Sequence, residues 1–143
     1  MQGFTLHPQL VEDCHELGRL GASRVLLHRN ASLPWFILVP EVAVEVTEWH
    51  ELEAAQRREL DEAICRVARL LRRQPQVRKV NIAAIGNLVP QLHVHVVGRW
   101  PGDPYWPGVV WGRLPAGPEW LPPQPGAWWA ALQADGPGPA SVE

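Results

Sequence analysis

The chain has 143 residues, with 13 Lys and Arg against 15 Asp and Glu and a formal net charge of −2. That length suits one domain with its own core and leaves no room for the large barrel on which metal-dependent His-x-His hydrolases are usually built. The slight negative charge speaks against a nucleic-acid-binding surface. No apolar run approaches the roughly twenty residues of a membrane span, so no membrane contact is expected. The first thirty residues lack a basic-then-apolar leader pattern. A cytoplasmic protein is expected, with Cys14 and Cys65 reduced and buried in helices.

In chain order, residues 8–20 begin with Pro8, carry Leu10, Cys14 and Leu17 at helical spacing and reach Gly18 near the end, which predicts a short helix. Arg24-Val25-Leu26-Leu27-His28 and Trp35-Phe36-Ile37-Leu38-Val39 are β-rich runs flanking a hairpin loop, Asn30-Ala31-Ser32-Leu33-Pro34. Over residues 53–73, Leu60, Ile64, Val67 and Leu71 form one apolar stripe opposite Arg58, Asp61, Glu62 and Arg69, the pattern of a long packing helix. Arg66, Arg69, Arg72, Arg73, Arg78 and Lys79 cluster towards its end, where positive side chains complement the helix dipole. Residues 80–85 and 92–100 supply two further strands, with Gly86-Asn87 offering a tight turn of easy positive φ. The sum is an α+β domain: an antiparallel meander with one long and one short helix.

After about Arg113 the composition turns to Pro, Gly and Trp, which predicts an irregular segment. The domain is accordingly assigned to residues 1–113 and a packed extension to residues 114–143, its last eight or so residues disordered. Trp106, Trp111, Trp120, Trp128 and Trp129 are too apolar to stand in solvent. They are read as staples of that segment, with Trp106 or Trp111 a second option as the wall of a base pocket or part of a dimer interface.

The stretch Gln91-Leu92-His93-Val94-His95-Val96-Val97 carries the chemistry. Alternation sends Gln91, His93 and His95 to one face and Leu92, Val94 and Val96 to the other. Three readings are open: a polar sheet face, two nitrogen ligands for a metal, or an imidazole nucleophile with a second imidazole beside it. The metal reading needs further ligands. His7, His15, His28 and His50 are scattered and no Cys-x-x-Cys is present.

The longer run from Ala84 to Arg99 resembles the signature of the histidine triad (HIT) superfamily of nucleotide hydrolases and transferases: a Gly-Gln turn, then His-φ-His-φ-His-φ-φ with φ apolar. Gln91 stands at the first histidine position. Pro90-Gln91-Leu92-His93-Val94-His95-Val96 with a downstream Trp106-Pro107-Gly108-Val109-Val110-Trp111-Gly112 is similar to a bacterial subgroup that shares this replacement. The resemblance implies a HIT-like fold, a homodimer, no cofactor, no metal and a purine nucleotide or nucleotide conjugate as substrate. It makes His93 the nucleophile and His95 the contact to the transferred phosphate. Gln91 serves through its backbone carbonyl, which accepts Nδ1–H of His93 and leaves Nε2 free to attack; its side-chain amide is also free to meet substrate. Asn87 replaces the Gln of the Gly-Gln turn near the phosphates, Asn81 matches a ribose or phosphate contact, and Asn30 falls near an acceptor of ribose hydroxyls. Trp35 stands where many members have a further histidine and can only donate. Leu88 replaces a hydroxyl residue, and Arg99 shares the face of His93 and His95. The implied activity is cleavage of an α-phosphate linkage; the alternatives are a non-catalytic nucleotide-binding or sensor module and, third, a metal-dependent hydrolase using the His-x-His pair.

Overall fold

Period-two alternation builds the layer that carries the site. The computed structural model describes residues 3–112 and 117–134. Five strands, β1 (Cys14–Leu20), β2 (Ser23–His28), β3 (Trp35–Pro40), β4 (Lys79–Ala83) and β5 (Val94–Arg99), form one sheet in the order β1-β2-β3-β5-β4, every neighbouring pair antiparallel. Among the described residues three α-helices accompany them, α1 (Pro8–Asp13), α2 (Ala54–Arg72) and α3 (Gln124–Ala134), with one 3-10 turn at Trp49–Glu51. The α+β class is as the sequence indicates.

One face of the sheet sends Val25, Leu27, Phe36, Leu38, Val94 and Val96 onto Leu60, Ile64, Val67 and Leu71 of α2. Each such side chain, withdrawn from water, contributes roughly 1.5–3 kcal/mol. α2 starts where Glu53 and Gln56 cap each other reciprocally and ends with Arg69 and Arg72 in its last turn, the charge sign that the carbonyl end favours. The other face sends Leu26, Trp35, Ile37, Val39 and Val97 into a second cluster with Leu6, Leu10, Leu33, Tyr105 and Val110. No helix as long as α2 covers this face. The N-terminal segment and residues 100–111 lie there instead, and the histidines emerge between them.

Three elements depart from the periodicity. The helix expected over residues 8–20 stops at Asp13, and Cys14–Leu20 is an edge strand paired with β2 and broken by a bulge between Glu16 and Gly18. Cys14 is therefore buried in a strand, whereas Cys65 sits half-buried in α2. The link between β4 and β5 is no tight turn but a loop of ten residues, 84–93, in which Gly86 does not use positive φ. The segment after Arg113 is not irregular throughout, since α3 seats Trp128 edge-on against Phe36, ring centroids 5.5 Å apart, and against Trp120 at 5.8 Å. Gly18 gives α3 its seat: a Cβ there would strike the ring of Trp129. The expected disorder of the final eight residues lies outside the described residues.

Candidate active site

His93, the last residue of the 84–93 loop, and His95, near the start of β5, stand on the face opposite α2, with ring centroids 5.0 Å apart and planes at 68°. Each ring is fixed by one hydrogen bond, and the two bonds have opposite sense. Nδ1 of His93 lies 2.7 Å from the Gln91 carbonyl oxygen; a carbonyl only accepts, so Nδ1 carries the proton and Nε2 keeps its lone pair. Nδ1 of His95 accepts the indole N–H of Trp35 at 2.9 Å, so the proton of neutral His95 is on Nε2. The pair presents a nucleophilic nitrogen beside a hydrogen-bond donor.

Burial keeps both rings neutral. It lowers the His93 pKa despite the Gln91 carbonyl, which raises it, and the nearby His7 lowers it further. Burial, then His93 and His28, bring His95 down to about 3. His28, which sequence reasoning passed over, stacks on Trp35 with centroids 4.0 Å apart and planes at 10°. Its Nδ1 accepts the Asn30 N–H at 3.1 Å, and burial lowers its pKa to about 4. Trp35 is thus held flat between His28 and the His95 edge. Trp111 closes the far side of His95, edge-on at 5.5 Å.

Asn81, expected to meet ribose or phosphate, and Arg99, expected to reach substrate from the face of His93 and His95, are joined in an internal network. Arg99 is 1 % exposed. Its Nε and Nη2 donate to both carboxylate oxygens of Asp103 at 2.8 and 3.0 Å, Nη1 donates to Asn81 Oδ1 at 2.8 Å and Nη2 to the Gly108 carbonyl at 2.8 Å. Burial pushes the Asp103 carboxyl up, but Arg99 and the Tyr105 and Trp100 amides hold it below its ordinary value. A charged strand end would normally be solvated. Here the guanidinium pins the loop that carries Trp111.

Asn30 is buried too. Its Nδ2 donates to the Tyr105 hydroxyl at 2.8 Å, and its Oδ1 accepts from the Ser32 amide and hydroxyl at 3.0 and 2.6 Å. Asn87 lies on the exposed part of the 84–93 loop beside Leu88, which is 94 % exposed. The Gln91 side chain, expected to be free for substrate, is instead bonded to His7 and Thr5. A cavity of about 300 Å³ opens at His93 between Thr47, Trp49, His50, Ile85 and Gly86. Nothing in the spacing of those residues foretold it, because the loop before α2 and the 84–93 loop meet only in three dimensions. A larger cavity, about 580 Å³, lies between the β1–β2 turn and α2, away from the histidines. Among the described residues no three His, Cys, Asp or Glu side chains are grouped to hold a metal.

An antiparallel five-stranded sheet with an imidazole pair at the head of its fourth strand in spatial order defines the class of histidine triad domains. The model of the HIT domain family matches residues 9–102, and the chain belongs to that family. Three solved structures are similar over nearly their whole length. A histidine triad protein from Sinorhizobium meliloti 1021 is 38 % identical with a TM-score of 0.84, over 92 % of this chain and 96 % of that one. One from Bradyrhizobium japonicum is 38 % identical with a TM-score of 0.82, over 93 % and 98 %. One from Marinobacter aquaeolei VT8 is 40 % identical with a TM-score of 0.78, over 92 % and 94 %. All three are named for the family alone. No curated protein matches the chain. Family and fold together support a nucleotide-binding or hydrolase role of HIT type in general terms.

Proposed function

We propose that the domain cleaves the α-phosphate linkage of a purine nucleotide conjugate, of the nucleoside phosphoramidate or dinucleoside polyphosphate type, through a covalent nucleotidyl group on His93. The observation that carries this reading is the 2.7 Å contact between His93 Nδ1 and the Gln91 carbonyl, which leaves Nε2 unprotonated at neutral pH. Nε2 attacks the α-phosphorus; the P–Nε2 bond forms as the bond to the leaving amine, alcohol or phosphate breaks, and that group departs with the electron pair, an amine or alcohol taking a proton from water as it leaves. Water then attacks the same phosphorus and gives up a proton to solvent, the P–Nε2 bond breaks with its electron pair returning to Nε2, and the nucleoside monophosphate is released. The Nε2–H of His95, aimed by Trp35, donates to a non-bridging oxygen as charge builds there. Asn87 on the neighbouring loop offers amide donors to the phosphates, and no cofactor enters any step.

Asn81 and Arg99 support the site by holding the 100–108 loop, and Asn30 by holding His28. The protein acts as a homodimer in the cytoplasm. The edge strand β4, which shows Ile82 at 49 % exposure, and the unpaired thiols Cys14 and Cys65 favour these two assignments.

Replacing His93 by Ala is expected to abolish turnover while calorimetry finds nucleotide affinity within about tenfold of wild type, since only the nucleophile is lost. Turnover near the wild-type level would eliminate the mechanism. The rival, a non-catalytic nucleotide-binding module, draws its support from the solvent-exposed Leu88 in place of a hydroxyl residue, and a wild type without turnover on either substrate type would favour it. Excess EDTA is expected to change the rate little; loss of activity with rescue by zinc or manganese would favour a metal site instead.

A further inference from the structure

The replacement at position 91 has its own structural use. Gln91 Oε1 accepts the backbone N–H of His7 at 2.8 Å, and its Nε2 donates to the backbone carbonyl of Thr5 at 3.0 Å. One planar amide therefore bridges two alternate residues of an extended segment as a neighbouring strand would, with a donor and an acceptor side by side. A neutral imidazole also has one donor and one acceptor, but they diverge around the ring and cannot make that pair of contacts. The segment so held sits over the histidine face: Leu6 is 7 % exposed within the cluster of Trp35 and Val97. The same Gln91 holds His93 Nδ1 through its carbonyl at 2.7 Å, so the strap brings the His7 backbone beside the nucleophile.

The orientation of His7 is also fixed. Its Nδ1 accepts the Gln9 N–H at 3.0 Å, so the proton of the neutral ring is on Nε2. We infer that Gln91 is a strap that builds residues 5–7 into the wall of the site, and that His7 is a substrate-contacting residue whose Nε2–H donates a hydrogen bond to the phosphate oxygens of the nucleotide held at His93. With Nδ1 occupied as an acceptor, Nε2 is the ring atom left to meet substrate. Gln91 thus has two separate duties. Its carbonyl orients His93 and its side chain positions His7. The His7 role rests on the nucleotide-binding reading of the site, while its binding test does not require turnover.

The test compares His7→Asn, His7→Gln, Gln91→Ala and the double variant Gln91→Ala/His7→Asn. An Asn side chain still supplies the acceptor at the position of Nδ1 and keeps the local cap, so the protein folds while the distal donor is lost. Gln restores a donor near the position of Nε2. Adenosine monophosphate affinity is read by calorimetry, and kcat and KM with an adenosine phosphoramidate. His7→Asn is expected to weaken adenosine monophosphate binding and kcat/KM by about tenfold, as for a lost hydrogen bond to a charged group, and His7→Gln to recover most of it. Gln91→Ala is expected to lose a similar factor, and the double variant no more than either single one, because the strap acts through His7. His7→Asn within twofold of wild type in binding, or losses that multiply in the double variant, would overturn the inference. If His93→Ala kept its turnover, the covalent mechanism would fall alone, and His7 would be judged on adenosine monophosphate affinity.

Discussion

At the scale of single residues the proposed chemistry rests on two imidazoles held in opposite tautomers. Burial holds His93 below the ordinary histidine value of 6.5, so the rate is expected to stay level from neutral pH past 6.5 and to fall only in more acid solution, as Nε2 protonates. A pH–rate profile with its acid limb centred above 6.5 would contradict this state of His93. Trp35→Phe removes the donor to His95 Nδ1. Nitrogen NMR is expected to show His95 passing from the Nε2–H tautomer to a mixture, with turnover down by about tenfold; an unchanged tautomer would show that Trp35 does not set it. Spacing alone placed His93 and His95 on one face, and the resemblance to the family placed the Gln91 carbonyl on Nδ1 of His93. Both are local facts. Trp35 was legible as a donor but not as the partner of His95, since that pairing depends on β3 lying beside β5 with Trp35 opposite Val97. His28 was illegible for the same reason: only the register of β2 on β3 puts it against Trp35.

At the scale of elements, a long stripe such as that of α2 was readable because five turns of consistent burial outweigh any local accident. The first helix was overread, since three residues at helical spacing across residues 8–20 are few enough to arise by chance, and pairing with β2 offered Cys14–Leu20 a ladder of backbone bonds interrupted only by the bulge between Glu16 and Gly18. α3 was missed because Pro and Gly at its start read as breakers. Pro125 sits in the first turn, where its missing N–H costs nothing. Arg99 was misjudged because nothing in the sequence shows that Asp103 folds back to meet it. Both side chains of that pair are almost fully enclosed, at 2 % and 0 % exposure, so breaking it strands a buried charge. Asp103→Asn is expected to destabilise the protein by about 3–5 kcal/mol in urea unfolding and to loosen the loop bearing Trp111. A loss below about 1 kcal/mol would show the network to be incidental.

At the scale of the whole molecule, the neutral buried histidines His28, His93 and His95 make stability depend on pH. His28 and His95 have folded pKa values of about 4 and about 3 against 6.5 when unfolded. Below pH 6.5 the unfolded chain takes up protons that the folded chain refuses, so stability is expected to decline from pH 6.5 towards pH 4 and to be level above that window. Denaturant midpoints at pH 7.5 and 5.0 measure the difference; equal midpoints would mean that these rings are not buried in the neutral form. The exposed edge of β4 bears on assembly. Light scattering is expected to find twice the chain mass of 16.0 kDa for the wild type and the single mass for Ile82→Lys, because a charge on that edge opposes strand pairing. The central claim, however, is chemical: His93 carries the nucleotide during turnover. Mass spectrometry after acid-free quenching of the wild type with an adenosine phosphoramidate is expected to find an adenylyl group on the peptide containing His93, and none in His93→Asn. Steady turnover with no adduct on that peptide, or the same adduct in His93→Asn, would contradict the account.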